Sequence, residues 1–283
     1  MKIGLGLPVD DPRILLDWAR RADAGPFSTL GLLDRLVWHN PEPLVTLAAL
    51  AGATNRIRLQ TEVLLVPLRG TALLAKQVAT LDRLCAGRFT LGIGLGGRPD
   101  DDAAAGVPSS GRGARLDEQL TQLRRLWAGE PFDADAGIGP VGPAPHRPGG
   151  PEVLVGAFRP TATARVARFG DGLLCAAPPS RAGVLFATVS RQWQEAGREG
   201  RPRNVAQVNV ALGPPAVIEA AQAAMARYYA FTGDSERMVT GLLTTAPAIR
   251  AAARAFEDLG ADELILYCWA PDPTQPDRLS TLL

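Results

Sequence analysis

The hydrophobic pattern of this chain changes period repeatedly, short apolar runs alternating with longer stretches that are apolar on one helical face. KIGLGL at residues 2–7 predicts a strand ended by Pro8, and residues 14–24 follow with Leu15, Trp18, Ala19 and Ala22 on one side. FSTLGLL, ending at Asp34, predicts a second strand, and Leu44 to Ala53 a helix. Ile57 to Leu65 predicts a third strand stopped by Pro67, followed by a helix over 71–84 striped with Leu74, Gln77, Val78, Leu81 and Leu84. A fourth strand covers Arg88 to Leu95; beyond a loop containing Gly and Pro, LDEQLTQLRRLW presents Leu116, Leu120, Leu123 and Trp127 on one helical face and stops at Gly129.

Residues 130–151 are crowded with Pro and Gly, have no periodicity and are expected to be a long connecting loop, because the alternation resumes after them. EVLVGAF is the fifth strand, PTATARVARFG a short helix, DGLLCAA the sixth strand, Arg181 to Ala196 a helix and NVAQVNVALG the seventh strand. Helical stretches around 215–231 and 247–259 precede ELILYCW, the eighth. Eight strands alternating with helices is the count of an α/β fold of the (β/α)8 TIM-barrel type, one domain over 1–283, with a doubly wound open sheet as the alternative.

Charge narrows the partners. With 30 basic and 29 acidic residues the chain has no field to hold nucleic acid, so a small molecule is expected. Cys85, Cys175 and Cys268 are widely spaced and read as buried thiols; with two histidines in all, His39 and His146, no metal site is expected. The apolar run at the start is too short for a signal segment and no stretch is long enough to span a membrane, so a cytoplasmic protein is expected.

Gly92, Gly94 and Gly97 in GRFTLGIGLGGRPDD have the G-x-G-x-x-G spacing of a dinucleotide turn. The context argues against one. The first two glycines lie inside the strand pattern, and Arg98, Pro99 and three aspartates follow where a phosphate-binding helix would have to open. Gly92 and Gly94 are expected to relieve crowding in the barrel, and Gly96 and Gly97 to reach its C-terminal mouth.

Taken in order, EPLVTLAALAGATNRIRLQTEV, LLAKQVATLDRLCAGRFTLGIGLGG, RLDEQLTQLRRLWAGEP, and EVLVGAF with ARFGDGLL resemble the bacterial luciferase-like family of flavin-dependent oxidoreductases. The resemblance covers almost the whole chain. It implies a barrel whose mouth holds FMN or a deazaflavin (coenzyme F420), commonly in a homodimer, with reduced cofactor delivered by a separate flavin reductase. It also implies cofactor contacts from Asp34, from Glu62 and Val63 at a bulge that sometimes carries a non-proline cis bond, from Leu95, Gly96, Gly97 and Arg98, and from Gly156, Ala157, Phe158, Arg159 and Thr161. Three departures stand out. Deazaflavin dehydrogenases of this type often have histidine where Arg35 stands, some relatives have a charged residue at Leu95 or Gly97, and small residues are usual at Phe158 and Arg159.

Pro160 and Thr161 at a helix start, beside Arg159, also make a plausible phosphate cradle from residue chemistry alone. Arg35, His39 and Glu62 are the candidates for chemistry, with Trp38 beside them; Glu62 is expected to pair with Arg35 or Arg98 rather than to carry a proton. Asp100, Asp101 and Asp102 read as a solvated loop, and Asp171 as a stabilising residue on the opposite face. The expected activity is a reduced-FMN monooxygenase acting with O2 on a small organic substrate. The alternatives are an F420-dependent dehydrogenase and a cofactor-free binding or partner subunit.

Overall fold

The computed structural model describes residues 1–7 and 11–283; Pro8, the expected end of the first strand, lies outside the described residues. In chain order the elements are β1 (Lys2–Gly6), α1 (Pro12–Ala24), β2 (Thr29–Leu32), α2 (Pro43–Ala53), β3 (Arg58–Thr61), β4 (Leu64–Leu65), α3 (Thr71–Leu84), β5 (Phe89–Gly94), α4 (Pro99–Ala104) and α5 (Arg112–Trp127). Then come β6 (Pro131–Asp133), β7 (Ile138–Pro140), β8 (Glu152–Gly156), α6 (Pro160–Phe169), β9 (Gly172–Cys175), α7 (Pro179–Glu195), β10 (Arg203–Val210), α8 (Pro215–Tyr229), α9 (Ser235–Thr240), α10 (Ala246–Asp258), β11 (Glu263–Cys268) and α11 (Gln275–Ser280).

Eight of these strands run parallel in the order β3, β2, β1, β11, β10, β9, β8, β5, and pairing of β3 with β5 closes the ring. This is the barrel that the alternation predicts, and closure excludes the open sheet. The helices form because each has an apolar stripe to bury. In α1, Asp11 caps the first turn by accepting from the Arg13 amide at 2.9 Å, Pro12 presets the first φ, and Leu15, Trp18, Ala19 and Ala22 are buried against the sheet. Burial of a side chain such as Leu15 contributes roughly 1.5–3 kcal/mol, so the packed stripe outweighs the cap.

The lumen has its own small core: Leu154, Leu174, Val205 and Ile265, with Val63 packed on it. Below it Arg58, Arg203, Glu152 and Glu263 alternate in charge; Arg203 reaches Glu152 at 2.5 Å and also pairs with Glu263. Asp171 lies on that same face, accepting from the Val153 amide at 2.8 Å with Arg124 at 3.4 Å, as a residue that tightens the structure. All three cysteines are buried free thiols.

Four sequence expectations change. The stretch 130–151 contains an antiparallel hairpin, β6 with β7. The third strand breaks after Thr61, the Glu62–Val63 peptide is cis, and the chain resumes as β4. The segment between α8 and α10 folds into α9, which the polar run GDSERM did not reveal. Finally, a helix does open after Gly97: α4 begins at Pro99. Its first turn carries Asp100, Asp101 and Asp102, so its amide end already faces carboxylates and disfavours a phosphate. The strand glycines act as expected, for a Cβ on Gly92 would strike the Thr61 carbonyl oxygen and one on Gly94 the Val63 side chain.

Candidate functional site

At the C-terminal ends of the strands lies a cavity of about 360 Å³. Its floor is built from strand ends: Val63 after the β3 break, Gly156 from β8, Leu174 from β9, Gln207 from β10 and Tyr267 from β11. Its roof comes from outside the strands, with Tyr228 and Tyr229 at the end of α8, then Phe231 and Met238, closing against Trp269.

Glu62 enters the wall where β3 breaks. Its amide donates to the Leu32 carbonyl at 2.8 Å, which continues the ladder to β2, and its carboxyl lies so close over Gly31 that any Cβ there would collide. Oε1 accepts from Gln60 Nε2 at 2.7 Å, while Oε2 is buried without a partner. Burial raises the carboxyl to a pKa of about 8, the Gln60 hydrogen bond opposing the shift and the nearby Glu263 charge adding to it. At neutral pH this acid therefore carries its proton. The ion pair expected for it does not form, because neither arginine faces it.

Arg35 is turned to α4 instead. Its Nε meets Asp101 at 2.5 Å and its Nη2 meets Asp100 at 3.0 Å, while Asp101 also accepts from the Leu36 and Val37 amides at 3.1 and 2.7 Å. Asp101 and Asp102 are thus buried structural anions and not part of a solvated loop; Asp102 holds Ser109 at 2.6 Å and Arg112 at 3.2 Å. Arg35 Nη1 is left buried and unpartnered on the cavity wall. Asp34 lines the same wall, but its oxygens hold Arg69 at 2.6 Å and the Leu65 amide at 2.8 Å, which fixes the return into β4.

The other predicted residues divide. Gly96, Gly97, Arg98, Gly156 and Phe158 line the cavity, and a Cβ on Gly97 would meet open space. Leu95 and Ala157 face away, and His39 is exposed, tilted against Trp38 at 5.6 Å and off the wall. Arg159 and Thr161 are exposed at the start of α6, beyond the cavity wall; Arg181 joins them there by donating to the Phe158 carbonyl at 3.1 Å.

Sequence reading missed the roof. Tyr228 packs edge-on against Trp38 at 5.5 Å and Tyr229 at 4.9 Å, and lies 5.2 Å from Trp269, which stands 5.9 Å from Tyr267. Burial pushes all three tyrosine hydroxyls up. Two signals were available: YYAF interrupts an otherwise alanine-rich helix, and Tyr267 and Trp269 alternate at the end of the last strand.

Comparison with known proteins agrees with the barrel fold. The family model described as luciferase-like monooxygenase matches residues 2–266. An uncharacterised protein of Mycobacterium tuberculosis is 35% identical over 174 residues, 58% of this chain and 60% of the relative. The F420-dependent glucose-6-phosphate dehydrogenase of Beutenbergia cavernae is 35% identical over 183 residues, 60% of this chain and 54% of that enzyme. The alignments thus span about half to 60% of the length of these curated relatives. Among solved structures, the oxygenating constituent of 3,6-diketocamphane monooxygenase from Pseudomonas putida, in complex with FMN, superposes with a TM-score of 0.79 at 18% identity, covering 99% of this chain and 95% of that one. The break after β3, the glycines at the mouth and the match over 2–266 lead to one assignment: this chain belongs to the luciferase-like monooxygenase family.

Proposed function

We propose that this chain is a cytoplasmic flavin-dependent oxidoreductase in which reduced FMN, supplied by a separate reductase, and O2 oxidise a small organic substrate under the aromatic roof. The residues fit such a cofactor. The cavity of about 360 Å³ falls in the range of roughly 300–1,000 Å³ usual for cofactor sites. Three polar atoms of wall residues, Arg35 Nη1, Glu62 Oε2 and the Tyr267 hydroxyl, are buried and lack protein partners, which is the signature of groups that a ligand completes. Val63 would back the ring system, with Gly97 leaving it room, and the phosphate would extend to Arg159 and Thr161 at the start of α6.

Bound there, reduced flavin would supply two electrons and pass one oxygen atom of O2 to the substrate, the other leaving as water. The chain's own part is to hold this chemistry dry and protonated. Glu62, its pKa raised to about 8, would donate a hydrogen bond from Oε2 to a bound group, and the Tyr228, Tyr229 and Trp269 cluster would keep bulk water out. Arg35, locked by Asp100 and Asp101, keeps its buried Nη1 amino group unpartnered beside the cavity, a donor held in a fixed position. His39 has no place in this scheme. The observation that carries the reading is the buried Glu62 carboxyl, one oxygen unpartnered, on a cavity wall closed by aromatic rings.

The F420-dependent reading draws support from the Beutenbergia cavernae relative. Titration of the chain with reduced FMN and with F420 separates them: tight binding of FMN supports the first, tight binding of F420 the second, and binding of neither overturns both. A homodimer is part of the proposal. Helix α2 is apolar nearly all round, yet Val45 is exposed on it, with Leu73 exposed on α3, an arrangement that a second copy would cover.

A further inference from the structure

One cation is built into the roof. Arg98, in the turn after β5, stacks on the Phe231 ring with its guanidinium carbon 3.4 Å from the centroid and lies 4.5 Å from the Tyr228 ring. Its Nη2 donates to the Tyr228 carbonyl at 2.9 Å. Stacking fixes the plane of the guanidinium, and because the Tyr228 carbonyl takes only one of the two Nη2 hydrogens, the second can still form an edge-on fork with Nε or Nη1 that suits a carboxylate.

The charges on the wall give that fork something to do. Asp34 is paired with Arg69, Asp101 with Arg35, and Glu62 is protonated. Arg98 has no carboxylate within ion-pair distance among the described residues, and it is half-buried. On the cavity wall Arg98 is thus a cation without a directly bonded carboxylate, set against the Tyr228 and Phe231 rings. A cation removed from water without a partner is unfavourable, and a ligand anion repairs it.

We infer that Arg98 receives an anionic group on the substrate, and that the substrate is a small aromatic carboxylate whose ring stacks among Tyr228, Phe231 and Trp269. The inference rests on the flavin reading only in calling this ligand the substrate. The cofactor phosphate is the other source of an anion, and the floor-to-α6 path assigned to it above leaves Arg98 free.

The test is calorimetric titration of the whole chain, with and without oxidised FMN, using phenylacetate and its neutral analogue phenylacetamide. The wild-type chain binds the acid about tenfold or more tighter than the amide, R98Q loses that preference, and R98K, which keeps the charge but not the fork, keeps part of it. Near-UV circular dichroism checks that each variant is folded, and R98K carries the test if R98Q is not. Equal binding of acid and amide by the wild-type chain overturns the inference, as does an unchanged preference in R98Q. So does weaker binding of FMN but not of riboflavin by R98Q, which would assign Arg98 to the cofactor phosphate. If the wild-type chain prefers the acid yet binds no flavin, the flavin reading falls and the carboxylate site stands; if it binds FMN without preferring the acid, the reverse holds.

Discussion

Gln60 Nε2 donates to Glu62 Oε1 at 2.7 Å inside the barrel, so the buried acid of this site faces a neutral amide where a guanidinium was expected. Two residues apart on a strand, side chains share a face, and the break after Thr61 keeps Glu62 on the inner face with Gln60. An amide stabilises the carboxylate weakly and cannot offset its desolvation, which is why the acid stays protonated.

The first prediction concerns pH. The folded pKa of Glu62, about 8, lies above its ordinary value of 4.5, so the native state holds a proton that the unfolded chain releases between those values. Stability from this group is intact below about pH 4.5 and is lost as pH rises toward 8, with a slope of roughly 1.4 kcal/mol per pH unit. Glu62→Gln keeps the shape and removes the titration. Urea unfolding at pH 5.5, 7 and 8.5 should show the variant gaining on wild type by a few kcal/mol across the series. A constant difference would refute the assignment.

A second prediction separates the glycines. Gly92→Ala drives a methyl into the Thr61 carbonyl and should cost about 1–3 kcal/mol or more by overpacking. Gly97→Ala meets open space at the mouth and should leave stability within about 0.5 kcal/mol of wild type. Thermal melts of the two variants decide it; similar losses would mean that Gly97 is as crowded as Gly92.

The barrel was legible because its signal is the alternation of strand and helix periods, repeated over the whole chain. The floor was legible only in part: Val63 and Gly156 were placed at strand ends, whereas Leu174, Gln207 and Tyr267 were not singled out, because apolar or neutral residues at a strand end look the same as core residues. What was not legible depends on tertiary partners. Arg35 chooses Asp101 over Glu62 because α4 delivers that carboxylate to within 2.5 Å, and GRPDDD reads locally as a loop. Tyr228 ends a helix whose alanine-rich sequence shows no strong stripe and Phe231 lies in the turn just beyond it, so nothing in their spacing tells that the helix ends over the mouth.

Asp101 supplies a third prediction. Its side chain is 2% exposed in the ion pair, and it holds two backbone amides besides Arg35. Asp101→Ala strands a buried guanidinium and should destabilise by about 3–5 kcal/mol. Asp100→Asn, at a carboxylate that is 51% exposed, should change stability by less than about 1 kcal/mol. Denaturant titrations at neutral pH compare them, and equal effects would contradict the division of labour between these neighbours.

The last prediction tests the roof as a barrier to water. Tyr228 touches Trp38, Tyr229 and Trp269, and its carbonyl anchors Arg98, so it is the ring on which the others converge. Tyr228→Ala removes the ring while leaving that carbonyl, and the cavity opens above the proposed ring site. If the roof excludes water during oxygen chemistry, the variant should consume O2 with reduced FMN but divert a larger share of it to hydrogen peroxide. Tyr228→Phe keeps the ring and removes only the hydroxyl, which is buried and has its pKa raised. It should behave as wild type if exclusion is the function, and like Tyr228→Ala if the hydroxyl takes part in proton transfer. Peroxide released per O2 consumed distinguishes these outcomes, and wild-type ratios in both variants would remove the roof from the mechanism.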